Sequence, residues 1–219
     1  MVAWAIFDPY RRQLKHEHGN EVMAAASTIK LFVYSAFRRS GLNPAQPAAA
    51  RTTGGSGVAE FLETRLTLAD HAFLMLAVSD NASTNLLLDR LGLDAVNAEI
   101  ERIGLERTRV RRMMMADGPD NETAAADLAV GLARLLDEPF ADDMLQALLV
   151  AADLSSFLPH LLPDATIAAK SGNTKTVRHE VAYITHGDRR RVTAVCSSPP
   201  ETPDVLARVA ADQFVATRP

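Results

Sequence analysis

Ser27 and Lys30 are the first residues in the chain whose types and spacing suit covalent catalysis. Apolar residues at helical spacing predict a helix over residues 24–37, and a lysine three positions after a serine then lies one turn away on the same face. A serine hydroxyl is a weak nucleophile, and a lysine amine can act as its base when burial and nearby cations lower the pKa of the amine. Amides at a helix start would also stabilise an oxyanion. The alternative interpretation is a capping serine followed by an exposed lysine.

Two further triplets contain residue types that could assist such a serine. Ser79–Asn81 falls between two predicted helices, where its ordinary interpretation is a polar turn with a capping side chain. Lys170–Gly172 ends an apolar strand, and a lone triplet of this kind is most often a strand that enters a turn. Each triplet alone is therefore weak evidence for a catalytic site.

Taken together, the three motifs form a recognisable set. Each occurs once, in the order Ser-x-x-Lys, Ser-Asp-Asn and Lys-Ser-Gly, at a helix start, an interhelical turn and a strand end. This set resembles the signature of class A β-lactamases and penicillin-binding proteins. The resemblance includes residues 68–92 and 177–183 and extends over nearly the whole chain, from Val2 to the closing helix. It implies a serine hydrolase that forms an acyl-enzyme.

The resemblance implies a catalytic role at four matching positions. Ser27 would attack a carbonyl and form the acyl-enzyme, with Lys30 as the base, directly or through a water relay. Ser79 would pass a proton to the leaving nitrogen, and Asn81 would hold Lys30 and a substrate amide.

The same resemblance implies a substrate-binding set at the end of the last motif: Lys170, Ser171, Gly172, Asn173 and Arg178. Lys170 with Ser171 would bind a substrate carboxylate, and the charge of Lys170 would help to keep the lysine base deprotonated. The amide of Asn173, with that of the nucleophilic serine, would form the oxyanion hole. Arg178 would add a second cation, with a surface ion pair as the equally weighted alternative.

One part of the family pattern is missing. Class A β-lactamases have a glutamate, before the helix that here begins near Thr123, that activates the deacylating water; Met114 stands in its place. Asp117, Asp120 and Glu122 are candidate substitutes, although acidic residues before a helix are usually caps. We therefore expect slow release of an acyl group derived from a β-lactam.

The order of the predicted elements gives the fold class. Two strands and a helix come first, helices fill residues 58–160, with a capping box at Thr67–Asp70, and three strands and a helix end the chain. We predict an α+β fold whose antiparallel sheet is flanked by N- and C-terminal helices and carries an inserted all-helical lobe. Residues 1–45 and 165–219 would form the sheet lobe and residues 46–164 the helical lobe, with the active-site cleft between them.

Composition narrows the classes of partner. The 219 residues include 23 basic and 27 acidic side chains, and the net charge of −4 favours neither nucleic acid nor an anionic membrane surface. No apolar stretch approaches the ~20 residues of a membrane span, and the first residues do not resemble a signal peptide. We expect a cytoplasmic monomer, or a secreted or periplasmic protein if a leader has been removed.

Other noticeable residues are given no catalytic role. Cys196 lies in a predicted buried strand and is interpreted as an inert thiol. The run Met113–Met115 is interpreted as loop packing into the core. His16 and His18 alternate on a strand, and His179-Glu180 lacks the spacing of a zinc-protease helix, so we expect no metal and no cofactor.

The sequence thus predicts a serine acyl-enzyme hydrolase that acts on the carbonyl of a small amide or ester, such as a β-lactam, that carries a carboxylate. A penicillin-binding or D,D-peptidase-like protein, acylated with little turnover, is the nearest alternative. A glutaminase-type amidase fits the second and third motifs less well. A binding module that keeps the fold without catalysis is the alternative from a different class.

Overall fold

The computed structural model describes residues 1–62 and 65–217. Its strands are β1 Val2–Asp8, β2 Gln13–Glu17, β3 Met23–Ala24, β4 Pro47–Ala48, β5 Leu66–Thr67, β6 Glu122–Thr123, β7 Thr166–Asn173, β8 Arg178–His186 and β9 Arg189–Ser197. Its helices are α1 Lys30–Arg39, α2 Leu68–Ala77, α3 Asn81–Leu91, α4 Leu93–Ile103, α5 Ala125–Leu135, α6 Ala141–Ser155, α7 Leu158–Leu161 and α8 Pro203–Ala216.

A five-stranded antiparallel sheet combines both ends of the chain, in the order β2-β1-β9-β8-β7. The first strand pairs with the last one, with Ala3 opposite Cys196, and β7 lies at the sheet edge. The predicted fold class, an antiparallel sheet with terminal helices and an inserted helical region, is confirmed. The last three strands extend beyond their apolar stretches because their polar ends, such as Arg178 opposite Asn173, also pair.

The sheet is covered on both faces, so its strands carry apolar residues on both sides. Helix α8 packs on one face, where Leu206 and Phe214 are buried, and α5 packs on the other through Leu128 and Leu132. Cys196 is buried within this sheet, and burial raises the pKa of its thiol to about 12, which confirms the prediction of a packed thiol.

The helical region follows the sequence signals closely. The capping box at Thr67 and Asp70 is confirmed, since the Thr67 hydroxyl accepts from the Asp70 amide while the Asp70 carboxylate accepts from the Thr67 amide. The predicted lobe boundaries at residues 46 and 165 stay a prediction, and one apolar cluster connects the sheet to α1–α6. Among the helices of the described residues, none is long and apolar enough to cross a membrane.

The prediction of one helix over residues 24–37 is wrong at its start. The structure has a short strand, Met23–Ala24, then a 3₁₀ helix, Ala26–Ile29, and an α-helix from Lys30. Ala26 has a left-handed backbone, with φ of 48°, which a regular helix does not tolerate in a residue with a Cβ. A tertiary hydrogen bond from the Ala25 amide to the Asn121 carbonyl, 2.6 Å, helps to fix this turn. Propensity alone does not reveal such a contact.

The ring of Phe32 on α1 lies under the backbone of Gly131 on α5, where an added Cβ would come within 2.7 Å of the ring. Because Phe32 is 0% exposed, Phe32→Ala should lower the free energy of unfolding by about 3–5 kcal/mol. Denaturant unfolding measures the loss. Phe61→Ala is the control, since Phe61 is 75% exposed and its removal should change stability by no more than about 0.5 kcal/mol. Equal effects in the two variants would contradict this account of the core.

Candidate active site

The turn before α1 presents Ser27 to a cleft. Ser27 is half-buried in the 3₁₀ helix Ala26–Ile29 and lines a cavity of about 350 Å³. Thr28 holds the turn, because both its amide and its hydroxyl donate to the Ala25 carbonyl, at 3.2 and 2.6 Å. The left-handed residue Ala26 directly precedes the serine, and backbone strain of this kind is concentrated at functional sites. The local structure therefore holds the hydroxyl at the cleft wall in a defined position.

Lys30 is completely buried and its amine contacts four oxygens. Nζ lies 3.1 Å from Ser27 Oγ, 2.7 Å from Ser79 O, 3.1 Å from Ser79 Oγ and 2.8 Å from Asn81 Oδ1. The carbonyl of Ser79 and the amide oxygen of Asn81 can only accept hydrogen bonds. A neutral amine directs its two N–H groups to these oxygens, which leaves its lone pair for the two hydroxyls. This geometry suits an amine that takes a proton from Ser27.

Burial and a neighbouring charge favour the neutral form of this amine. Burial lowers the pKa of Lys30 well below its usual value, and the Lys170 ammonium lowers it further, while the Asp80 carboxylate has the opposite effect. The sum is an amine that loses its proton far more readily than a solvated lysine. A base of this kind is what nucleophilic catalysis by serine requires.

The turn between α2 and α3 carries Ser79, Asp80 and Asn81. Ser79 has a left-handed backbone, with φ of 55°, and both its carbonyl and its hydroxyl face Lys30. Asp80 caps α3 by accepting from the Ser83 amide at 2.7 Å. Burial acts to raise the pKa of Asp80, but hydrogen bonds from backbone amides, including that of Ala59, hold it below its usual value. Asp80 therefore acts as a buried anion that organises the turn.

Lys170 reaches the same turn from the edge strand β7. It is 1% exposed, and its Nζ donates to Ser79 Oγ at 3.1 Å and to the Ser171 carbonyl at 2.8 Å. Burial lowers the pKa of Lys170 to about 7. The Ser79 hydroxyl thus lies between two lysine amines, within hydrogen-bonding distance of each, and can relay a proton between them.

Gly172 allows the edge strand to approach the nucleophile. A Cβ at this position would lie 2.9 Å from the amide nitrogens of both Ser27 and Thr28. The paired residue on β8, His179, places Nε2 2.7 Å from the Ala24 carbonyl. The strand and the turn are therefore in close contact at a glycine, and no larger residue fits there without displacing backbone.

Most of the predicted site residues are brought together. The four predicted catalytic residues and Lys170 form one hydrogen-bonded cluster, and Ser27, Asn81 and Asn173 line the cavity. Ser171 is half-buried beside them, with Oγ 3.3 Å from Ser155 Oγ. The roles of these residues stay predictions.

Arg178 lies opposite Asn173 on β8, and among the described residues it belongs neither to the hydrogen-bonded cluster nor to the cavity lining. The exposed Lys175, which the sequence reasoning did not select, lines the cavity instead. The signal was available, because a lysine in the tight connection that follows Lys170–Gly172 must lie at the end of the edge strand.

The loop residues 110–121 form the opposite wall. Met114 lines the cavity, and the Asn85 side chain holds its backbone by two hydrogen bonds, of 2.7 Å from the Met114 amide and 3.0 Å to its carbonyl. Met113 and Met114 pack against the core, as predicted for the methionine run. Met115 contradicts that prediction, because it is 62% exposed. Its left-handed backbone, with φ of 62°, ends the inward packing of the run.

The three acidic residues proposed as substitutes for the missing glutamate lie in different places. Asp120 lines the cavity, but its carboxylate is 2.5 Å from the Arg112 guanidinium. Glu122 pairs with Arg111 at 2.6 Å and faces another groove. Asp117 is exposed and is not among the described residues that line the cavity. Of the three, Asp120 is therefore the best placed to substitute for the glutamate, but its carboxylate is engaged in an ion pair with Arg112.

The fold is that of the penicillin-recognising serine hydrolases. Residues 10–215 match the sequence profile described as the beta-lactamase enzyme family, and the chain belongs to this family. No curated protein matches the sequence.

Solved structures support the same fold. The chain is similar to a beta-lactamase from Sphaerobacter thermophilus, with 26% identity, a TM-score of 0.88 and coverage of 99% of this chain and 89% of that one. PBP-A gives 23% identity, a TM-score of 0.88 and the same coverage. A variant of the last common ancestor of Gram-negative bacteria class A beta-lactamase gives 20% identity, a TM-score of 0.87 and coverage of 99% and 92%.

The charge of Lys170 should control the protonation of Lys30. Lys170→Gln removes that charge, so the pKa of Lys30 should rise and its titration should move to higher pH. The chain has four lysines, so ¹³C NMR of lysine-labelled protein can follow each of them. Lys175→Gln is the control, because it removes an exposed amine from the cleft rim and should leave the titration of Lys30 in place. An unchanged Lys30 titration in Lys170→Gln would show that the two charges do not interact.

Proposed function

We propose that this protein is a serine hydrolase that forms an acyl-enzyme with amides or esters bearing a carboxylate, and that it releases β-lactam-derived acyl groups slowly. The observation that carries the proposal is the buried Lys30 amine, whose contacts leave a lone pair facing Ser27 Oγ at 3.1 Å. Hydrogen bonds satisfy the amine, but burial still favours its neutral form, so a structural role that depends on its positive charge is disfavoured. The neutral amine has a clear chemical use as a base.

Acylation follows from the hydrogen-bonded cluster. The Ser27 proton passes to the Lys30 lone pair while Oγ forms a bond to the substrate carbonyl carbon. The amides of Ser27 and Asn173 would hold the oxyanion of the tetrahedral intermediate. Ser79 then gives its hydroxyl proton to the leaving nitrogen or oxygen and regains one from Lys30, 3.1 Å away, as the bond to the leaving group breaks. The products are the Ser27 ester and a protonated leaving group.

The substrate carboxylate would be bound at the end of the edge strand. The Lys170 amine and the Ser171 hydroxyl supply a charge and a donor there, and Lys175 adds a solvated cation at the rim. A carboxylate near Lys170 would also favour its charged form, so substrate binding would help to keep Lys30 neutral. The preference for an anionic substrate therefore serves both binding and the activation of the nucleophile.

Deacylation lacks an evident base. Met114 lines the cleft on the wall opposite the edge strand, and a thioether cannot take a proton from water. Asp120 lines the same cavity but is paired with Arg112. Because the ring-opened β-lactam remains tethered to the site, a slow attack by water leaves the acyl-enzyme as the accumulating species. A less hindered ester can still be hydrolysed, with Lys30 or Ser79 helping to activate the attacking water.

The protein alone, treated with penicillin G, should gain the mass of one penicillin on Ser27, detected by intact-mass and peptide mass spectrometry. Penicillin G is the first reagent to use because a variant of PBP-A, which shares the fold, is known as its acyl-enzyme complex with this compound. Ser27→Ala should abolish the adduct. Ser56→Ala, which removes another cavity-lining serine, should retain it.

The same experiment separates the alternatives. A stable adduct supports acylation with little turnover, as in a penicillin-binding protein, and loss of a chromogenic cephalosporin over many turnovers supports an efficient β-lactamase. No adduct with penicillin G or with an activated ester would favour a binding module without catalysis.

A carboxylate at position 114 should restore a deacylation base. In Met114→Glu the Asn85 side chain still holds the backbone, since it bonds to the main chain of residue 114, so the new side chain should occupy the same wall. Release of penicilloyl adduct should accelerate by about 10²-fold, the lower range for a positioned general base. Time-resolved mass spectrometry measures the release. Tyr10→Glu, at a residue that is 64% exposed and is not among the described residues lining the cavity, should not accelerate it, and equal acceleration in both variants would argue for a non-specific effect of charge.

A further inference from the structure

Asn81 is held in its orientation by the loop of residues 51–57. Its side-chain Nδ2 donates to the Gly54 carbonyl at 3.1 Å, and its backbone amide donates to the Ser56 carbonyl at 2.8 Å. Its other side-chain atom, Oδ1, accepts from Lys30 Nζ at 2.8 Å. The side chain of Asn81 thus connects this loop to the lysine base.

The Gly54 carbonyl determines which end of the Asn81 amide faces Lys30. A carbonyl accepts and cannot donate, so it selects the orientation in which Nδ2 points toward the loop and Oδ1 toward the amine. In the reverse orientation an N–H group would face Lys30 and would compete with Ser27 for the lone pair of a neutral amine. The position of Gly54 therefore matters for the base, although Gly54 does not contact it.

Glu60 holds this part of the loop in place. A single carboxylate oxygen, Oε2, accepts from the Thr53 amide at 2.6 Å and from the Gly54 amide at 3.0 Å. These two backbone hydrogen bonds also lower the pKa of Glu60. Gly54 and Gly55 both have left-handed backbones, with φ of 80° and 78°, so this stretch has more conformational freedom to lose than an ordinary loop.

The two halves of the loop connection have separate anchors. Asp80 Oδ2 accepts from the amides of Val58 and Ala59, at 2.5 and 2.8 Å, and so fixes the end nearest the catalytic turn. Glu60 fixes the other end, which carries the Gly54 carbonyl. Because Asp80 belongs to the catalytic turn itself, Glu60 is the anchor that can be changed without altering that turn.

We propose that Glu60 is a positioning residue for the acylation step: through Gly54 it sets the orientation of Asn81, and through Asn81 the position and proton affinity of Lys30. The inference rests on the proposed function, because acylation is the step that uses Lys30. Glu60 touches neither the reacting atoms nor the base, and its effect passes through three successive hydrogen bonds.

Glu60→Ala tests this chain of contacts by two measurements. The second-order rate of acylation by a fluorescent penicillin should fall by about 10-fold, because a small misplacement of a catalytic group costs one to two orders of magnitude. The titration of Lys30, followed by ¹³C NMR, should move to lower pH, because the ammonium loses the Asn81 oxygen that accepts from it, while Lys170 and Asp80 stay in place. A general loosening of the fold would admit water and move that titration to higher pH.

Conservative and control variants give the test its specificity. Glu60→Gln should behave as the unmodified protein in both measurements, because one amide oxygen can accept from both backbone N–H groups. Glu106→Ala removes a carboxylate that is 82% exposed and should also leave both unchanged. If Glu60→Ala fails to fold, Glu60→Asp carries the same test, since its carboxylate is one methylene too short to reach the loop amides.

The outcomes distinguish this inference from the proposed function. If the unmodified protein is not acylated, the proposed function is wrong, and the Lys30 titration in Glu60→Ala still decides whether Glu60 positions the amine. If the protein is acylated and Glu60→Ala matches it in rate and in titration, the positioning role is overturned. A Glu60→Gln variant as impaired as Glu60→Ala would overturn it as well, because the effect would then depend on charge rather than on hydrogen bonding.

Discussion

The enclosure of two lysine amines around one serine hydroxyl is the constraint that the rest of the structure serves. Lys30 and Lys170 are almost completely buried and both lie 3.1 Å from Ser79 Oγ. Two buried amines that share one hydroxyl as a hydrogen-bond partner cannot both be protonated without a large electrostatic cost, since charges are weakly screened in a protein interior. The fold therefore favours a state in which one of the two lysines is neutral, and a neutral lysine is the base that the site needs.

Holding such a pair requires elements from distant parts of the chain. The 3₁₀ turn and α1 supply Lys30, the α2–α3 turn supplies Ser79, and the edge strand β7 supplies Lys170. Two of these elements depart from regular geometry at the contact, since Ala26 and Ser79 have left-handed backbones. The close approach at Gly172 completes the arrangement. Strained backbone at these positions lowers the stability of the fold, as is common at binding and catalytic sites.

The parts of this arrangement that depend on local geometry could be predicted from the sequence. The spacing of Ser27 and Lys30 places them on one helical face, and the capping box at Thr67 marks a helix start, because both signals lie within one turn of chain. The sheet followed from the period of its strands and from their position at both ends of the chain. That the three motifs meet at one point came from family resemblance, since no local signal encodes how the 3₁₀ turn and the α2–α3 turn come to lie beside β7.

What could not be predicted depends on single tertiary contacts. The early helix break at Ala26 reflects a hydrogen bond to Asn121, almost a hundred residues away. The glycine-rich residues 51–57 have no periodicity, and the order of that loop comes from its contacts with Asn81 and Glu60. The exposure of Met115, beside two methionines that pack inward, follows from one backbone torsion that composition does not specify.

The pairing of β1 with β9 also has a consequence for how the chain acquires its structure. The sheet cannot close until residues 189–197 have left the ribosome. Strand β1 pairs with β2 on one side and with β9 on the other, and β9 is the last strand of the sheet to be synthesised. Long sequence separation between contacting residues slows folding, since the entropy of closing a large loop must be lost before the contacts form. The N-terminal hairpin of β1 and β2 is therefore synthesised early but completes its pairing late, when β9 becomes available to the free edge of β1.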